Sequence, residues 1–174
     1  MMAGACVTGQ IHYTNIMHSA DSHARPGVAI IGCGLIGTKR AAALGEGRLL
    51  ACCDVVRERA ERLARGRPGA EAYTDWRAAV RRPGVDIVVV ATTHDLLAPV
   101  GCAAAEAGRH VLLEKPGARR AAELDAVREA AARSGVLVRV GFNHRYHRAL
   151  RKAREIFTSG APGELMFVRG RYGH

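Results

Sequence analysis

The chain has 174 residues, of which 48 % are apolar, enough for one domain with a sizeable core but short for two full ones. The net charge of +10 favours anionic partners such as phosphate-bearing small molecules, although 23 of the 26 basic residues are arginines scattered along helix-like segments. No basic arm or aromatic-interleaved patch indicates nucleic-acid binding. No apolar run approaches the roughly 18 residues of a membrane span, so no membrane partner is expected.

Six short, mostly apolar runs are predicted to be strands. In chain order they are "GVAII", "RLLACCDV", "AEAYTD", "VDIVVVAT", "HVLLEK" and "VLVRVGF". The runs are nearly uniformly apolar rather than alternating, which is typical of strands that are covered on both faces.

Helix-forming segments of about 10–15 residues lie between these strands. Asp75 is the predicted N-cap of "WRAAVRR". The helix in "LLAPVGCAAAEAG" is expected to begin around Ala98 and Pro99, with proline in its first turn. This alternation predicts an α/β fold with a doubly wound parallel sheet over residues 26–146.

The pattern changes after Phe142. Residues 147–174 are predicted to form an amphipathic linker helix and then one strand, "GELMFVRGRYGH", the start of a second α/β domain. At the other end, residues 1–25 lack the apolar core of a signal peptide and are expected to be a loose extension.

The five cysteines contain no C-x-x-C pair. Cys33, Cys52 and Cys53 fall in apolar, strand-like segments, which predicts small buried side chains rather than disulfides or zinc ligands. This usage is typical of a reducing compartment. We therefore expect a cytoplasmic protein without a metal site.

The stretch "GCGLIG" is a G-x-G-x-x-G that follows a predicted strand and opens a predicted helix. In that context Gly32 permits a tight turn, Gly34 lets the backbone approach a pyrophosphate, and Gly37 allows close packing of helix on strand. The free N–H groups of the helix start, including those of Leu35 and Ile36, are expected to hold the anion. The alternative is an ordinary strand–helix turn.

Asp54 ends the second strand, 22 residues beyond Gly32. A carboxylate at that place accepts hydrogen bonds from an adenosine ribose and repels a 2′-phosphate, which favours NAD(H) over NADP(H). Arg57, three residues further on, favours NADP(H) instead, because its positive charge would attract a 2′-phosphate. The alternative role for Asp54 is an N-cap of the following helix.

Polar residues follow three further strands, and the carboxyl ends of parallel strands meet at the edge where doubly wound sheets bind ligands. Thr92, Thr93, Glu114 and Pro116 are candidate cofactor contacts, and His94, Asn143 and Arg145 are candidate substrate contacts. Each of them has an alternative role as a helix cap or a surface residue.

Lys115 is the candidate catalytic residue, and it is also a candidate cofactor contact. Proline restricts the residue before it to extended conformations, so Pro116 would aim the ammonium in a fixed direction. An ammonium there could donate a hydrogen bond to a substrate hydroxyl and stabilise a developing oxyanion.

"GCGLIG", Asp54, "ATTHDLLAP", "HVLLEKP" and "GFNHRYH" occur in the order seen in the Gfo/Idh/MocA family of NAD(P)-dependent oxidoreductases, which the chain resembles from about Gly27 onward. The resemblance implies a Rossmann domain followed by a second domain with a large open sheet. It also implies sugar, inositol or related polyol substrates, pairing of family members through the open sheet, and a Lys115 that contacts substrate and nicotinamide.

The chain departs from the family pattern in two places. Leu97 stands where the family often has a histidine, while His94 lies slightly earlier. The family's further catalytic histidine belongs to the second domain, and His174 comes too early to match it, although it stays a candidate substrate contact. We therefore expect a truncated, dinucleotide-binding part of a dehydrogenase that is inactive by itself.

Two other functions are compatible with parts of the pattern. A non-catalytic NAD(H)-binding regulatory module needs no further histidine. An S-adenosylmethionine-dependent methyltransferase also has a glycine-rich first turn and a later acid, but it has no use for Lys115.

Overall fold

A computed structural model describes residues 25–171. The predicted extension over residues 1–25, except for its last residue, lies outside the described residues, and so does the candidate His174. The strands are β1 (Gly27–Ile31), β2 (Arg48–Cys53), β3 (Glu71–Tyr73), β4 (Ile87–Val90), β5 (His110–Leu113) and β6 (Val138–Val140). The helices are α1 (Leu35–Ala42), α2 (Arg57–Ala64), α3 (Trp76–Arg81), α4 (His94–Glu106), α5 (Ala121–Ser134) and α6 (Arg148–Thr158), with a 3₁₀ turn at Asn143–Tyr146.

The strands form one parallel sheet in the order β3-β2-β1-β4-β5-β6. The chain moves outward from β1 to β3 and then returns to β4, on the other side of β1. The strand order therefore reverses between β1 and β4, and such a reversal leaves a crevice at the carboxyl ends of the strands. The predicted α/β fold with a doubly wound parallel sheet is confirmed.

Two apolar layers cover the sheet, one on each face. In β1, Val28 and Ile30 pack in the layer that contains residues of α1 and α2. Ala29 and Ile31 alternate with them and pack in the layer that contains residues of α3, α4 and α5. This alternation explains why the strands are apolar at every position: both faces are buried.

The predicted start of α3 agrees with the structure, whereas the predicted start of α4 does not. The Asp75 carboxylate accepts a hydrogen bond of 2.9 Å from the Arg77 N–H, which confirms the predicted N-cap of α3. The predicted start of α4 was wrong, because the helix begins at His94 and contains Pro99 in its interior. A proline removes one backbone donor, and the burial of Leu97 and Val100 on the sheet holds the helix together around it.

The chain beyond β6 has few contacts with the sheet domain. The predicted helix is present as α6, but none of its residues is buried. The predicted strand is not formed over the described residues 165–171, where the backbone is irregular and Met166 is 91 % exposed. A strand needs a hydrogen-bonded neighbour, and no described strand pairs with this segment. Its assignment to a second domain stays a prediction.

None of the helices within residues 25–171 combines the length and the apolar character that crossing a membrane requires.

Candidate functional site

The glycine-rich turn joins β1 to α1 through contacts that leave no space for a side chain. Gly32 has a φ of 95°, and a Cβ on it would lie 2.4 Å from the backbone oxygen of Ala91. A Cβ on Gly37 would lie 1.9 Å from the backbone oxygen of Gly32. These distances agree with the predicted roles of the two glycines, a tight turn and close packing of α1 on β1.

Gly34 differs, because a Cβ placed on it would meet no atom within 4 Å. It is the N-cap of α1, no side chain caps the helix, and the first turn holds no acidic residue. Thr38 donates the first hydrogen bond back to the Gly34 oxygen, at 2.9 Å. The N–H groups of the first turn, among them those of Leu35 and Ile36, therefore lack intrahelical acceptors. Open space beside free donors at the positive end of a helix suits a phosphate group.

Asp54 follows β2 directly and is only 8 % exposed. One carboxylate oxygen accepts a hydrogen bond of 2.8 Å from the Cys33 N–H, and the other accepts one of 2.9 Å from the Val56 N–H. The carboxylate is therefore fixed against the glycine-rich turn. The N-cap of α2 is Val56, so the alternative role of Asp54 as the cap is wrong.

The arginine that lies beside Asp54 is not the one noted in the sequence. Arg57 forms an ion pair of 3.8 Å with Glu61, one helical turn further on. Arg59 instead lines the cleft beside Asp54, with its Nη1 atom 3.9 Å from the carboxylate. Which arginine faces the cleft depends on the residue at which α2 begins, and α2 begins at Arg57. The sequence does not define that first residue precisely enough to predict the orientation of either arginine.

A cleft of about 590 Å³ opens at the reversal point of the sheet. Six predicted site residues line it, namely Gly32, Gly34, Asp54, Thr92, Thr93 and His94. Sequence reasoning missed two of its apolar side chains, Trp76 and Leu96, which lie near the starts of α3 and α4. The only tryptophan of the chain stands at the start of a predicted helix, which is the signal that could have identified Trp76.

Thr93 is the N-cap of α4, which agrees with its alternative role, but its side chain makes no capping hydrogen bond to the helix backbone. A hydrogen bond from the Thr93 side chain, together with one from the backbone N–H of Asp95, lowers the pKa of the Asp95 carboxyl. Leu97 is fully buried in the core. That position therefore contributes packing rather than a polar contact.

Glu114, Lys115 and Pro116 lie at the end of β5 and do not line this cleft. Glu114 is 8 % exposed, and its carboxylate forms an ion pair with the Arg40 guanidinium of α1. Lys115 is exposed, and its side chain pairs with no other residue within the described part of the chain. Glu114 was predicted as a site residue, but its partner Arg40 was not.

The remaining candidates lie on the 3₁₀ turn after β6, where Asn143 and Arg145 are exposed. Arg145 borders a second cleft of about 660 Å³, which Arg151 and Arg154 of α6 also line. The structure therefore places Asn143 and Arg145 at the same edge of the sheet as Lys115 but not in the first cleft. No group of side chains among residues 25–171 is arranged to hold a metal ion.

The four cysteines among residues 25–171 are free thiols. Cys33, Cys52 and Cys53 are buried, whereas Cys102 is partly exposed. Burial raises the pKa of the Cys53 thiol to about 12, so this group stays protonated at neutral pH. The prediction of small buried side chains agrees with these positions.

We expect the three buried thiols to resist modification in the native protein, because the thiolate is the reactive form and needs access. With a thiol reagent near neutral pH, peptide mass spectrometry should find Cys102 labelled well before Cys33, Cys52 and Cys53. Labelling of all four at equal rates in urea is the control. Labelling of Cys53 as fast as Cys102 without denaturant would contradict the expectation.

Comparisons with known proteins agree with this geometry. The model of the Gfo/Idh/MocA oxidoreductase family, NAD-binding Rossmann fold, matches residues 27–142. An inositol 2-dehydrogenase from Salmonella typhimurium is 32 % identical over 149 residues, which are 82 % of this chain and 44 % of that protein.

Two solved structures have the same fold. An NAD-binding oxidoreductase from Klebsiella pneumoniae has a TM-score of 0.73 and 34 % identity, and the match covers 81 % of this chain and 40 % of that one. A levoglucosan dehydrogenase in complex with NADH and L-sorbose has a TM-score of 0.72 and 29 % identity, over 80 % of this chain and 40 % of that one. The chain thus spans less than half the length of these proteins.

The matched region contains the glycine-rich turn, the buried Asp54 and all six strands of the sheet. The chain belongs to the Gfo/Idh/MocA family of oxidoreductases and forms its NAD-binding Rossmann fold.

Proposed function

We propose that this chain is the NAD(H)-binding part of an oxidoreductase that transfers a hydride between NAD(H) and a sugar, an inositol or a related polyol or keto compound. The observation that carries the proposal is the cleft at the reversal point of the sheet, where the open side of Gly34 and the carboxylate of Asp54 border one space. The relatives that act on inositol and levoglucosan supply the substrate class.

The residues around the cleft fit the parts of a dinucleotide. The N–H groups of Leu35 and Ile36, beside Gly34, would bind the pyrophosphate. Asp54 would accept hydrogen bonds from the adenosine ribose, and Thr92 and Thr93 also line the cleft. When bound, NAD(H) supplies the hydride acceptor or donor.

Lys115 would act on the substrate. Its exposed ammonium has no partner among residues 25–171, so it can donate a hydrogen bond to a substrate oxygen. That bond strengthens as negative charge develops on the oxygen, which favours the transition state over the bound substrate. Glu114 and Pro116 would contact the cofactor, and His94, Asn143, Arg145 and His174 would contact the substrate.

The preference for NAD(H) over NADP(H) is tested by Asp54→Asn. The wild-type carboxylate repels a 2′-phosphate, and a neutral amide does not. We expect the ratio of the dissociation constants, NADPH over NADH, to exceed one in the wild type and to fall about tenfold in the variant. Fluorescence titration with both nucleotides measures this ratio, which a general loss of stability leaves unchanged.

Asp75→Asn is the matched control for this titration, because Asp75 caps α3 outside the cleft and asparagine is an equally good cap. The ratio should stay at its wild-type value in that variant. A wild-type preference for NADPH, or an unchanged ratio in Asp54→Asn, would show that Asp54 does not select the nucleotide.

One observation favours a second candidate, a non-catalytic NAD(H)-binding regulatory module. The described cleft is lined by proposed cofactor contacts that follow three strands, β1, β2 and β4, but Lys115 does not line it. Calorimetric titration with NADH, combined with a dehydrogenase assay on sugars and inositols, separates the two candidates. Binding with turnover supports the oxidoreductase, and binding without turnover in the full-length gene product supports the regulatory module.

We further propose a cytoplasmic location and a homo-oligomeric full-length protein. The buried free thiols fit a reducing compartment, and the oligomer rests on the family resemblance. Light scattering of the purified protein at several concentrations measures the oligomeric state directly.

A further inference from the structure

We infer that Arg40 is a positioning residue for the end of β5: its ion pair with Glu114 compensates that carboxylate, so that the neighbouring Lys115 ammonium stays available to a substrate. The inference about the ion pair stands on the geometry of the described residues. Its value for catalysis rests on the role proposed for Lys115.

Burial shows why Glu114 needs a partner. Asp54 and Glu114 are the two charged residues that are buried within residues 25–171, each 8 % exposed. A buried carboxylate is costly unless it is paired or hydrogen-bonded. Backbone N–H groups satisfy Asp54, whereas the Glu114 side chain pairs with the Arg40 guanidinium.

The ion pair connects three elements at the edge of the sheet where ligands bind. Arg40 lies in the last turn of α1, the helix whose first turn offers the phosphate site. Glu114 follows β5. Gly141 follows β6, and a Cβ placed on it would lie 3.4 Å from an Arg40 nitrogen and 3.6 Å from a Glu114 oxygen. These are ordinary van der Waals distances, so the start of the segment after β6 lies directly against the ion pair.

The same geometry decides how Glu114 affects Lys115. An uncompensated Glu114 carboxylate would attract the ammonium of the next residue and so compete with a substrate oxygen for it. Arg40 removes this competition by taking the carboxylate to the α1 side. The other titratable or charged groups on the elements around this strand end are Lys39, His94, Asp95, Arg119, Arg120, Arg139, His144 and Arg145.

Two single variants should move the pKa of Lys115 in opposite directions. Arg40→Met leaves Glu114 as an uncompensated anion beside the ammonium at the pH where lysine titrates, so the pKa should rise by about 0.5 to 1 unit. Glu114→Gln leaves the positive charge of Arg40 without its partner, so the pKa should fall by a similar amount. The double variant should return close to the wild-type value.

The experiment is an NMR titration of the whole 174-residue chain after reductive methylation with ¹³C-formaldehyde. The chain contains only three lysines, Lys39, Lys115 and Lys152, so the labelled signals are few, and Lys115→Arg assigns the one of interest. Arg82→Met is the control, because it also removes one arginine charge and breaks an ion pair, Arg82 to Glu71 at 3.0 Å, but does so at β3, away from Lys115. It should leave the Lys115 titration unchanged.

Shifts of Lys115 in the same direction in both single variants, or shifts smaller than about 0.2 unit in both, would overturn the inference. If Arg40→Met does not fold, Glu114→Gln and Arg40→Lys are compared instead. A lower Lys115 pKa in Glu114→Gln with an unchanged Lys115 pKa in Arg40→Lys supports the inference. An unchanged Lys115 pKa in Glu114→Gln overturns it. The titration needs no nucleotide, so a failure of the chain to bind NADH would contradict the proposed function and leave this result standing.

Discussion

Gly37→Ala is expected to lower the free energy of unfolding of the chain strongly. The added Cβ would lie 1.9 Å from the Gly32 oxygen and 3.2 Å from a methyl group of Ile30. The nearest of these atoms is backbone, so it cannot move aside without separating α1 from β1. An overlap of this kind costs about 3 kcal/mol or more, a large part of the stability of a small domain. Urea unfolding followed by circular dichroism measures the loss.

Gly34→Ala is the matched control for that substitution. It changes the same residue type in the same turn, but its Cβ would meet no atom within 4 Å. Its backbone conformation also suits an L-residue, with φ of −73°. We expect its urea midpoint to stay at the wild-type value. Equal stability of Gly37→Ala and Gly34→Ala would show that α1 does not pack against β1 as described.

Lys115→Ala is expected to lower kcat by about 100-fold or more, the effect of removing a positioned group that transfers a proton or stabilises an oxyanion. Its effect on NADH affinity should be much smaller, because the Lys115 side chain lies outside the described cleft. The measurement is NADH formation from a panel of sugars and inositols, at saturating NAD, in the full-length gene product.

Lys152→Ala is the control for the loss of one positive charge. Lys152 lies on the exposed α6 and pairs with Glu155 at 2.8 Å, so its removal should leave kcat unchanged. A decrease of less than about tenfold in Lys115→Ala would mean that this side chain is not the catalytic group.

The sequence predicted those parts of the molecule that depend on local pattern. Uniformly apolar runs placed the strands, because both faces of the sheet are buried. The glycine spacing placed Gly32 and Gly37, because no side chain fits there. The position of Asp54 at a strand end predicted a carboxylate at the edge where ligands bind.

Features that depend on contacts between distant residues were not predicted. The pairing of Arg40 with Glu114 spans 74 positions, and nothing in the local pattern of either segment indicates it. The walls of the cleft formed by Trp76 and Leu96 depend on how α3 and α4 are rotated on the sheet. The start of α4 was misplaced because proline usually marks a helix start, whereas here the burial of Leu97 outweighs the lost hydrogen bond.

The central claim is that the space beside Gly34 holds the pyrophosphate of NAD(H). Calorimetric titration of NADH into the wild type and into Gly34→Ala tests it most directly, because the substitution fills that space without disturbing the fold. We predict one bound NADH per wild-type chain and an affinity at least about tenfold lower in Gly34→Ala. No binding to the folded wild-type chain, or equal affinity in the two proteins, would contradict the claim.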